Sequence, residues 1–405
     1  MNVLMLCTKF SLDENSPWLT NELADSLSAA GHCVSVIHID WSQPSKKDDS
    51  IIETKSAVRV LTVAPLIINK FGLFFEKLAK WSLSSFLAWR SIKKFTKKQN
   101  YQLLIGFSPT TTVALPLWRL LRRLNCVSYL VQWDFFPYHH QQIGLINNRH
   151  AFALACWIEN KIMRKFNHIG CMSPKNIDYL RSHYDLKTKQ KIHILPIWGQ
   201  GDAIVNSNPA ETRKTYALPS DKVLAIFGGQ LTKGRGIETI LAAAKLARIQ
   251  KSELGFVFVG AGPLEQLIRD DLEEKGNVFF LGKLSREEYL QIAAACDVGL
   301  VCTVDGVDVP TFPSKSIDYF RTKLPILAAV EKTSDYGDFV AENSLGVVCK
   351  VGDAKALYHA LKELTEKPAL MKEMGENGFK MYLEKLHVDK VAIKLFQQAL
   401  NLGVK

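Results

Sequence analysis

The segment 223–245 reads VLAIFGGQLTKGRGIETILAAAK, and it decides the fold. Its first five residues are apolar, which predicts a buried strand, and a helix-length segment follows the glycine loop. Gly228 and Gly229 make the turn between the two. Glycine lets the backbone approach a ligand closely, and ligands of open parallel sheets lie beyond the carboxyl ends of the strands. This turn is therefore a candidate binding loop.

The same alternation of strand and helix runs through almost the whole chain. The predicted strands are 2–7, 33–39, 101–106, 126–132, 168–172, 191–195, 223–227, 255–259, 277–281, 298–302, 325–330 and 346–349. Near-continuous apolar strands separated by helices imply parallel sheets that are covered on both faces. A dozen strands exceed one core, so the pattern predicts an α/β protein with two doubly wound domains. The Pro- and Gly-containing stretch 196–210 is the expected boundary.

Helices are predicted at both ends of the chain. One covers 17–30, with Pro17 near its start and Gly31 just past its end. The tail from about 354 is all helical, and its last segment, 388–400, is apolar every three or four residues. An amphipathic helix of that kind must pack on another surface.

Composition excludes several classes of protein. The 405 residues are 47% hydrophobic and 22% charged, which is ordinary for a folded globular protein and unlike a disordered or collagen-like chain. No apolar run reaches the ~18 residues of a membrane-spanning helix, and MNVLMLCTKF (1–10) predicts a first strand rather than a signal peptide. The eight cysteines form no CxxC pair, so we expect reduced, buried thiols in a cytosolic protein, without a disulfide frame or a zinc site.

Positive charge is concentrated in the first half of the chain. The net charge is +11, and residues 66–100 alone carry eight basic side chains against one acid. The large apolar residues of this segment recur at helical spacing: Phe74, Leu78, Trp81 and Phe86. Its basic residues would lie at other angles around the helix axis: Lys77, Lys80, Arg90, Lys93 and Lys94. This pattern predicts a helix on an anionic membrane surface, and hence a cytoplasmic protein that is peripheral to the inner face of the plasma membrane. A core-facing helix with a solvated basic back is the alternative; no motif supports nucleic acid as a partner.

Three loops of the second half are candidates for anion binding. Lys233 and Arg235 place positive charge beside the start of the helix that follows the first loop. GAGP (260–263) is a second glycine turn, and two such turns in one domain favour a nucleoside diphosphate, although glycines also serve tight turns structurally. In the third loop, 303–320, Ser314 and Lys315 lie near a helix start. Asp318, one turn on, could accept hydrogen bonds from ribose or simply favour the helix dipole.

The order GGQLTKGRG, VGAGP, FLGKL and PSKSIDYFRTKLPILA resembles the C-terminal half of a family-4 retaining glycosyltransferase with the GT-B fold. The resemblance is specific over 223–330 and is nearest to bacterial enzymes of cell-surface polysaccharide synthesis. It implies two Rossmann-like domains that face a cleft, 1–198 and 199–387, with 388–405 crossing back to the first. It also implies transfer of a sugar from a nucleoside diphosphate sugar to a lipid-linked glycan acceptor, without a cofactor or a required metal.

The resemblance assigns roles to individual residues. Lys233 matches the basic residue that holds the diphosphate and supports catalysis, Asp318 matches the acid that binds ribose, and the segment 280–284 matches the lining of the base. The implied donor-binding set is Gly229, Gln230, Lys233, Arg235, Gly260, Gly262, Leu284, Asp308, Ser314, Lys315 and Asp318. Two positions depart from the family pattern. Gln230 replaces an arginine, and Pro310 stands where the first acid of a carboxylate pair is expected, with Asp308 as its candidate substitute.

The loop after the strand at 126–132 reads WDFFPYHHQQ (133–142) and is the candidate catalytic loop of the first domain. Asp134 resembles the acid of an Asp-x-x-Pro element in related bacterial enzymes. His139 and His140 are candidate proton carriers, because histidine titrates near neutral pH, and the alternative is that they are merely solvated.

Three other functions compete with sugar transfer. The missing arginine and glutamate also fit a non-catalytic relative that binds nucleotide or glycan as an assembly partner. A sugar-nucleotide epimerase shares the architecture but needs no membrane face. A dehydrogenase is disfavoured, because no GxGxxG follows the first strand.

Overall fold

A computed structural model describes residues 1–13, 16–41, 49–63, 86–204, 206, 208–272 and 276–401. Contacts divide the chain into two compact units: Met1–Ile197 with Val388–Lys405, and Trp198–His387. Each unit is built around one mainly parallel sheet with helices between the strands. The predicted fold class, α/β with two doubly wound Rossmann-like units, is confirmed.

The first unit holds an eight-stranded sheet. Its strands are β1 (Asn2–Cys7), β2 (Cys33–Ile39), β3 (Ser50–Glu53), β4 (Arg59–Val63), β5 (Leu103–Phe107), β6 (Val127–Gln132), β7 (His168–Cys171) and β8 (Lys191–Ile194). Their order across the sheet is β3-β4-β2-β1-β5-β6-β7-β8, and only β3 with β4 pairs antiparallel. Neither of these two strands was predicted. All four residues of β3 are exposed, so it lacks the apolar run that marks a buried strand.

The second unit holds a six-stranded, all-parallel sheet. Its strands are β9 (Val223–Gly228), β10 (Leu254–Val259), β11 (Val278–Phe280), β12 (Val298–Cys302), β13 (Ile326–Val330) and β14 (Gly346–Lys350). They lie in the order β11-β10-β9-β12-β13-β14, which is 3-2-1-4-5-6 when counted within the unit. In sheets of this order the direction of winding reverses between the first and fourth strands, here β9 and β12.

Helices separate the strands in both units. They are α1 (Leu19–Ala29), α2 (Ala114–Arg123), α3 (Tyr138–Gln142), α4 (Arg149–Met163), α5 (Pro174–His183), α6 (Pro209–Thr215), α7 (Ile237–Ile249), α8 (Glu265–Arg269), α9 (Arg286–Ala294), α10 (Lys315–Arg321), α11 (Tyr336–Glu342), α12 (Ala354–Thr365), α13 (Pro368–Met381) and α14 (Val388–Ala399). Residues 86–95 are helical as well. The tail from 354 is helical throughout its described length, apart from short turns, as predicted.

The core of the second unit explains why its strands are so apolar. Phe227 of β9 and Phe256 and Phe258 of β10 are fully buried in one cluster with helix α7. That helix contributes small residues, Ala243 and Ala244 among them. Small side chains let the helix lie close to the sheet, so the aromatic rings fill the space between the layers. The start of α7 is therefore fixed against the ends of the strands.

Helix α14 belongs to the first unit, as the family resemblance implies. The Ser26 hydroxyl donates to Asp389 Oδ1 at 2.6 Å, and the Tyr129 hydroxyl donates to Gln398 Oε1 at 2.5 Å. The ring of Phe396 stacks on that of His32 with centroids 4.3 Å apart. These contacts join the last helix to α1 and β6.

The predicted basic helix is described only in part. Residues 66–85, with Phe74, Lys77, Leu78, Lys80 and Trp81, lie outside the described residues. In the helix 86–95, Ile92 and Phe95 are buried, while Phe86, Leu87, Arg90, Lys93 and Lys94 are exposed. This part of the segment therefore packs one face on the core and leaves its basic back in solvent. Within the described residues, no helix combines the length and apolar character needed to cross a membrane.

The cysteines are free, but they are not all buried. Cys7, Cys171, Cys296 and Cys302 are buried, Cys126, Cys156 and Cys349 are half-buried, and Cys33 is exposed. The expectation of uniformly buried thiols is therefore wrong for Cys33. That residue opens β2, where the strand emerges from the turn after α1.

The packing of α14 gives a matched test of the first unit. Leu395 is fully buried, whereas Ile393, on the same helix, is 55% exposed. We expect Leu395→Ala to lower the free energy of unfolding by about 2–5 kcal/mol, because it leaves a cavity in the core. Ile393→Ala should change it by no more than about 0.5 kcal/mol. Urea unfolding followed by circular dichroism measures both, and equal costs for the two variants would contradict this packing.

Candidate functional site of the second unit

The strand order brings two loops of the second unit together at one point. The loop after β9 and the loop after β12 start at neighbouring carboxyl ends, where parallel sheets of this order bind their ligands. Gly236, which precedes α7, lies against the end of β12. A Cβ atom added there would come within 2.7 Å of both Cys302 Cβ and the Thr303 carbonyl oxygen. The N-terminus of α7 therefore reaches the point where the two loops diverge, with its free N–H groups.

The glycines after β9 and β10 join the loops to each other. Gly229 N–H donates to the Val259 carbonyl at 2.9 Å, and Gly260 N–H donates to the Gly282 carbonyl at 2.8 Å. A Cβ atom added to Gly260 would lie 1.8 Å from the Gly229 carbonyl oxygen. Gly262 is equally constrained, since its added Cβ would lie 2.3 Å from the Leu231 carbonyl oxygen. The close approach at Gly260 and Gly262 is thus to neighbouring backbone.

Lys315 lies beside the glycine turn of this site, and no described residue pairs with its amine. Its Nζ lies 3.3 Å from the centroid of the Phe227 ring, and a Cβ atom added to Gly229 would be 3.8 Å from the same nitrogen. That nitrogen is shielded from solvent and makes no hydrogen bond within the described part of the chain. Burial, followed by the nearby charge of Arg235, holds the pKa of Lys315 well below its ordinary value. A cation in this state favours the arrival of an anion.

Helix α10 holds Lys315 in place through a tyrosine and a serine. The Tyr319 hydroxyl donates to the Ile226 carbonyl at 3.0 Å and accepts from the Gly228 N–H at 3.2 Å. The Ser316 hydroxyl donates to the Pro313 carbonyl at 2.8 Å. The helix is therefore fastened to the end of β9, which keeps its first residue, Lys315, beside the glycine turn.

A buried carboxylate that the sequence analysis missed secures the loop after β12. Glu331 follows β13 directly, and its Oε1 accepts from the Thr311 hydroxyl at 2.7 Å and from the Thr311 N–H at 3.2 Å. Its Oε2 accepts a further hydrogen bond from the Thr303 hydroxyl. An acid placed immediately after an apolar strand was the available signal for this residue. It fixes both ends of the segment 303–311.

Asp318 is engaged by a residue that the sequence did not single out. Its carboxylate is buried, and the Arg286 guanidinium donates to both oxygens, at 2.8 and 2.5 Å. This bidentate pair fixes the plane of the carboxylate. A carboxylate has about four lone-pair sites, so two remain after the pair is formed. Ribose binding by Asp318 stays a prediction.

The remaining predicted donor residues differ in exposure. Gln230, Lys233, Asp308 and Ser314 are exposed, Arg235 and Leu284 are half-buried, and Pro310 is buried. Of the predicted cations, Arg235 and Lys315 lie near enough for their charges to interact. Lys233 lies in the turn that leads to α7. The diphosphate-binding role that the family resemblance implies for Lys233 therefore stays a prediction, and Lys315 is the cation whose amine is shielded at these strand ends.

In the first unit, the predicted catalytic residues meet at the end of β6. Asp134, His139 and His140 each offer one ligand atom, and these three atoms lie within 4.8 Å of one another. The Ser108 hydroxyl oxygen accepts from the backbone N–H groups of Trp133 and Asp134 at 2.8 and 2.9 Å. The loop is therefore attached to the neighbouring strand end, after β5.

Comparison with known proteins gives the class of the second unit. Residues 209–381 match the family model described as Glycosyl transferases group 1. The chain is 32% identical to a "Probable glycosyltransferase WbjE" of Pseudomonas aeruginosa over 162 residues, which are 39% of this chain and 40% of that protein. It is 24% identical to an "O-antigen chain mannosyltransferase C" of Escherichia coli, over 55% of this chain and 58% of that one. The chain thus spans about half the length of these relatives.

A solved structure matches both units. Anabaena HepE, in a complex with UDP, superposes with a TM-score of 0.65 at 13% identity, and the match covers 99% of this chain and all of that one. At this level of identity the likeness concerns the fold. The matched family segment contains the glycine turns, Lys315 and Asp318, so the resemblance to glycosyltransferases is confirmed for this domain.

Proposed function

We propose that the chain is a family-4 retaining glycosyltransferase that moves a sugar from a nucleoside diphosphate sugar to a lipid-linked glycan in bacterial surface polysaccharide synthesis. The observation that carries the proposal is the shielded amine of Lys315, which no described residue pairs with, at the strand ends of a domain that matches group 1 glycosyltransferases. UDP bound to a protein of the same fold supports the donor class. The O-antigen mannosyltransferase among the relatives supports the acceptor class.

The donor diphosphate would bind where the two cations and the helix end converge. Rotation of its flexible stem would bring the Lys315 ammonium from the Phe227 ring to a phosphate oxygen, while Arg235 adds charge beside it. The free N–H groups at the start of α7 would complete the anion site. Because the leaving nucleoside diphosphate gains negative charge as the sugar departs, these groups would stabilise the transition state more than the ground state.

The first unit would supply the acceptor side of the reaction. Asp134 and His139 lie close together in the loop after β6. Either side chain could take the proton of an acceptor hydroxyl. In this proposal no metal is required for departure of the nucleoside diphosphate, since the cations of the second unit stabilise its developing negative charge.

Replacing Lys315 tests the proposal. We expect Lys315→Met to weaken binding of UDP, GDP or dTDP, whichever binds the natural chain, by about 10- to 100-fold, because one charge-assisted hydrogen bond is lost. The same variant should unfold at a higher temperature, because it removes a desolvated cation that lies near the charge of Arg235. We expect its free energy of unfolding to rise by about 0.5–2 kcal/mol. Calorimetry and thermal unfolding measure the two effects.

The matched control is Lys245→Met, at an exposed lysine of α7. It should leave both nucleotide affinity and stability unchanged. Unaltered nucleotide binding in Lys315→Met would contradict the site. Nucleotide binding without turnover of any donor sugar, in the presence of lipid-linked glycan, would contradict the enzymatic proposal.

The membrane partner remains part of the proposal. Phe86 and Trp157 of the first unit are more than half exposed, and the Arg119 guanidinium lies 5.2 Å from the Phe86 ring centroid. Lys161 lies over the Trp157 ring at 5.8 Å. Exposed aromatic rings beside basic groups fit the interface of an anionic leaflet, and Arg90, Lys93 and Lys94 add exposed basic side chains in the same unit.

Vesicle sedimentation tests this surface. The chain should pellet with phosphatidylglycerol vesicles, stay in solution with phosphatidylcholine vesicles, and be released by high salt, because surface charges are screened. Arg90→Glu with Lys93→Glu should weaken the binding strongly, whereas the equal charge change Lys245→Glu with Lys372→Glu, in the second unit, should not. Equal losses in the two double variants would indicate attraction by net charge alone and contradict a defined surface.

A further inference from the structure

The loop after β6 carries three side chains that could also hold a metal ion, a ligand that the proposed sugar transfer does not require. We propose that Asp134, His139 and His140 bind one divalent transition-metal ion of the zinc class. The donor set is two imidazole nitrogens and one carboxylate oxygen, all within 4.8 Å of one another. This proposal does not depend on the donor site of the second unit.

The geometry is close to what a bound ion needs. Bonds of about 2.0–2.1 Å in a tetrahedral site place two ligand atoms about 3.3 Å apart, so the side chains need to move inward by about 1.5 Å at most. All three residues are half-buried, so their side chains would partly shield a bound ion and are still accessible to it. Three protein ligands would leave a fourth position for water or a substrate oxygen.

An unpaired nitrogen points independently to a ligand. His140 Nδ1 is shielded from solvent and has no hydrogen-bond partner within the described residues. Buried polar atoms are normally paired, so this nitrogen needs an explanation. The His140 ring packs edge-on against Phe136, with centroids 5.1 Å apart, which holds the ring in the cluster. A coordinated ion would stabilise that arrangement and would satisfy the nitrogen if it bound through Nδ1.

The backbone of the loop is already fixed in the shape that the site needs. The Asp134 N–H donates to the Ser108 hydroxyl oxygen at 2.9 Å, and the Asp134 carbonyl accepts from Gln132 Nε2 at 2.6 Å. The His139 N–H donates to the Phe135 carbonyl at 3.1 Å, at the start of α3. Binding would therefore require side-chain rotation alone, and the entropic cost of ordering the loop is already met by folding.

Two imidazoles and a carboxylate select a particular kind of ion. They suit Zn²⁺, and in open sites also Fe²⁺, Mn²⁺ or Ni²⁺, whereas Mg²⁺ and Ca²⁺ prefer oxygen ligands. A nitrogen of His139 that binds the ion cannot at the same time carry a proton. In the loaded protein, the proton of an acceptor hydroxyl would then pass to another group.

Metal titration of the untagged, chelator-treated chain tests the proposal without any activity assay. Calorimetry with Zn²⁺ should show one site per chain, and Co²⁺ should give the visible absorption of a coordinated ion. His140→Ala should weaken Zn²⁺ binding at least tenfold, because one of three ligands is removed. The matched control, His150→Ala, alters an exposed histidine of α4 and should bind as the natural chain does.

Circular dichroism of His140→Ala separates loss of the site from loss of the fold. If that variant misfolds, Asp134→Asn, which keeps the shape of the side chain, serves in its place and should show the same tenfold weakening. Absence of one-to-one Zn²⁺ binding, or equal affinity in the ligand variants and the control, would overturn the proposal.

Discussion

The second unit depends on one unfavourable arrangement, the amine of Lys315, which is kept out of water and pairs with none of the residues that the structure describes. Lys315 rests on the Phe227 ring and against Gly229, and the charge of Arg235 makes its protonated form still less stable. Folding tolerates this because the core beneath is continuous and the helix that carries the lysine is fastened by Tyr319. A buried, protonated lysine is destabilised in the free protein. It interacts with an incoming phosphate more favourably than an exposed lysine does, because it has little hydration to lose.

The topology explains why the site forms at this point. Strand order 3-2-1-4-5-6 separates the connections of β9 and β12 to opposite faces, which leaves a gap at their carboxyl ends. Gly236 allows α7 to begin against Cys302, and Glu331 holds the loop after β12 by its two threonines. Backbone, helix end and lysine therefore converge from separate parts of the chain, and each is fixed by contacts within the second unit.

Most strands of the fold could be predicted from the sequence, and the strands that were missed have a physical reason. Buried strands such as β1, β2 and β12 were predicted with their observed bounds, because a strand covered on both faces is a continuous apolar run. Strands β3 and β4 were missed, since the edge strand β3 is wholly exposed and its neighbour β4 mixes Arg59 and Thr62 into its five residues.

The site was predicted less completely than the fold. Glycine turns and nearby cations are visible in a sequence, so Gly229, Arg235 and Lys315 were all proposed. The bidentate contact between Arg286 and Asp318, and the hydrogen bonds of Glu331, join residues 20 to 32 positions apart. Such pairs follow from which strands are neighbours, and a single sequence does not encode strand order in any local pattern.

Proton uptake on nucleotide binding tests the central claim most directly. Burial lowers the pKa of Lys315 in the free protein, and a bound phosphate would raise it, so binding takes up a proton at pH values between the two. Calorimetry of nucleoside diphosphate binding in buffers of different ionisation enthalpy measures this uptake. Lys315→Arg is the reference for proton uptake, because arginine stays protonated in both the free and the bound protein. Titration of the nucleotide itself contributes to proton uptake in both proteins. We predict that the natural chain takes up more protons than Lys315→Arg and that its affinity falls as the pH rises through the interval between the free and bound pKa values of Lys315. Identical proton uptake in the two proteins would contradict the account.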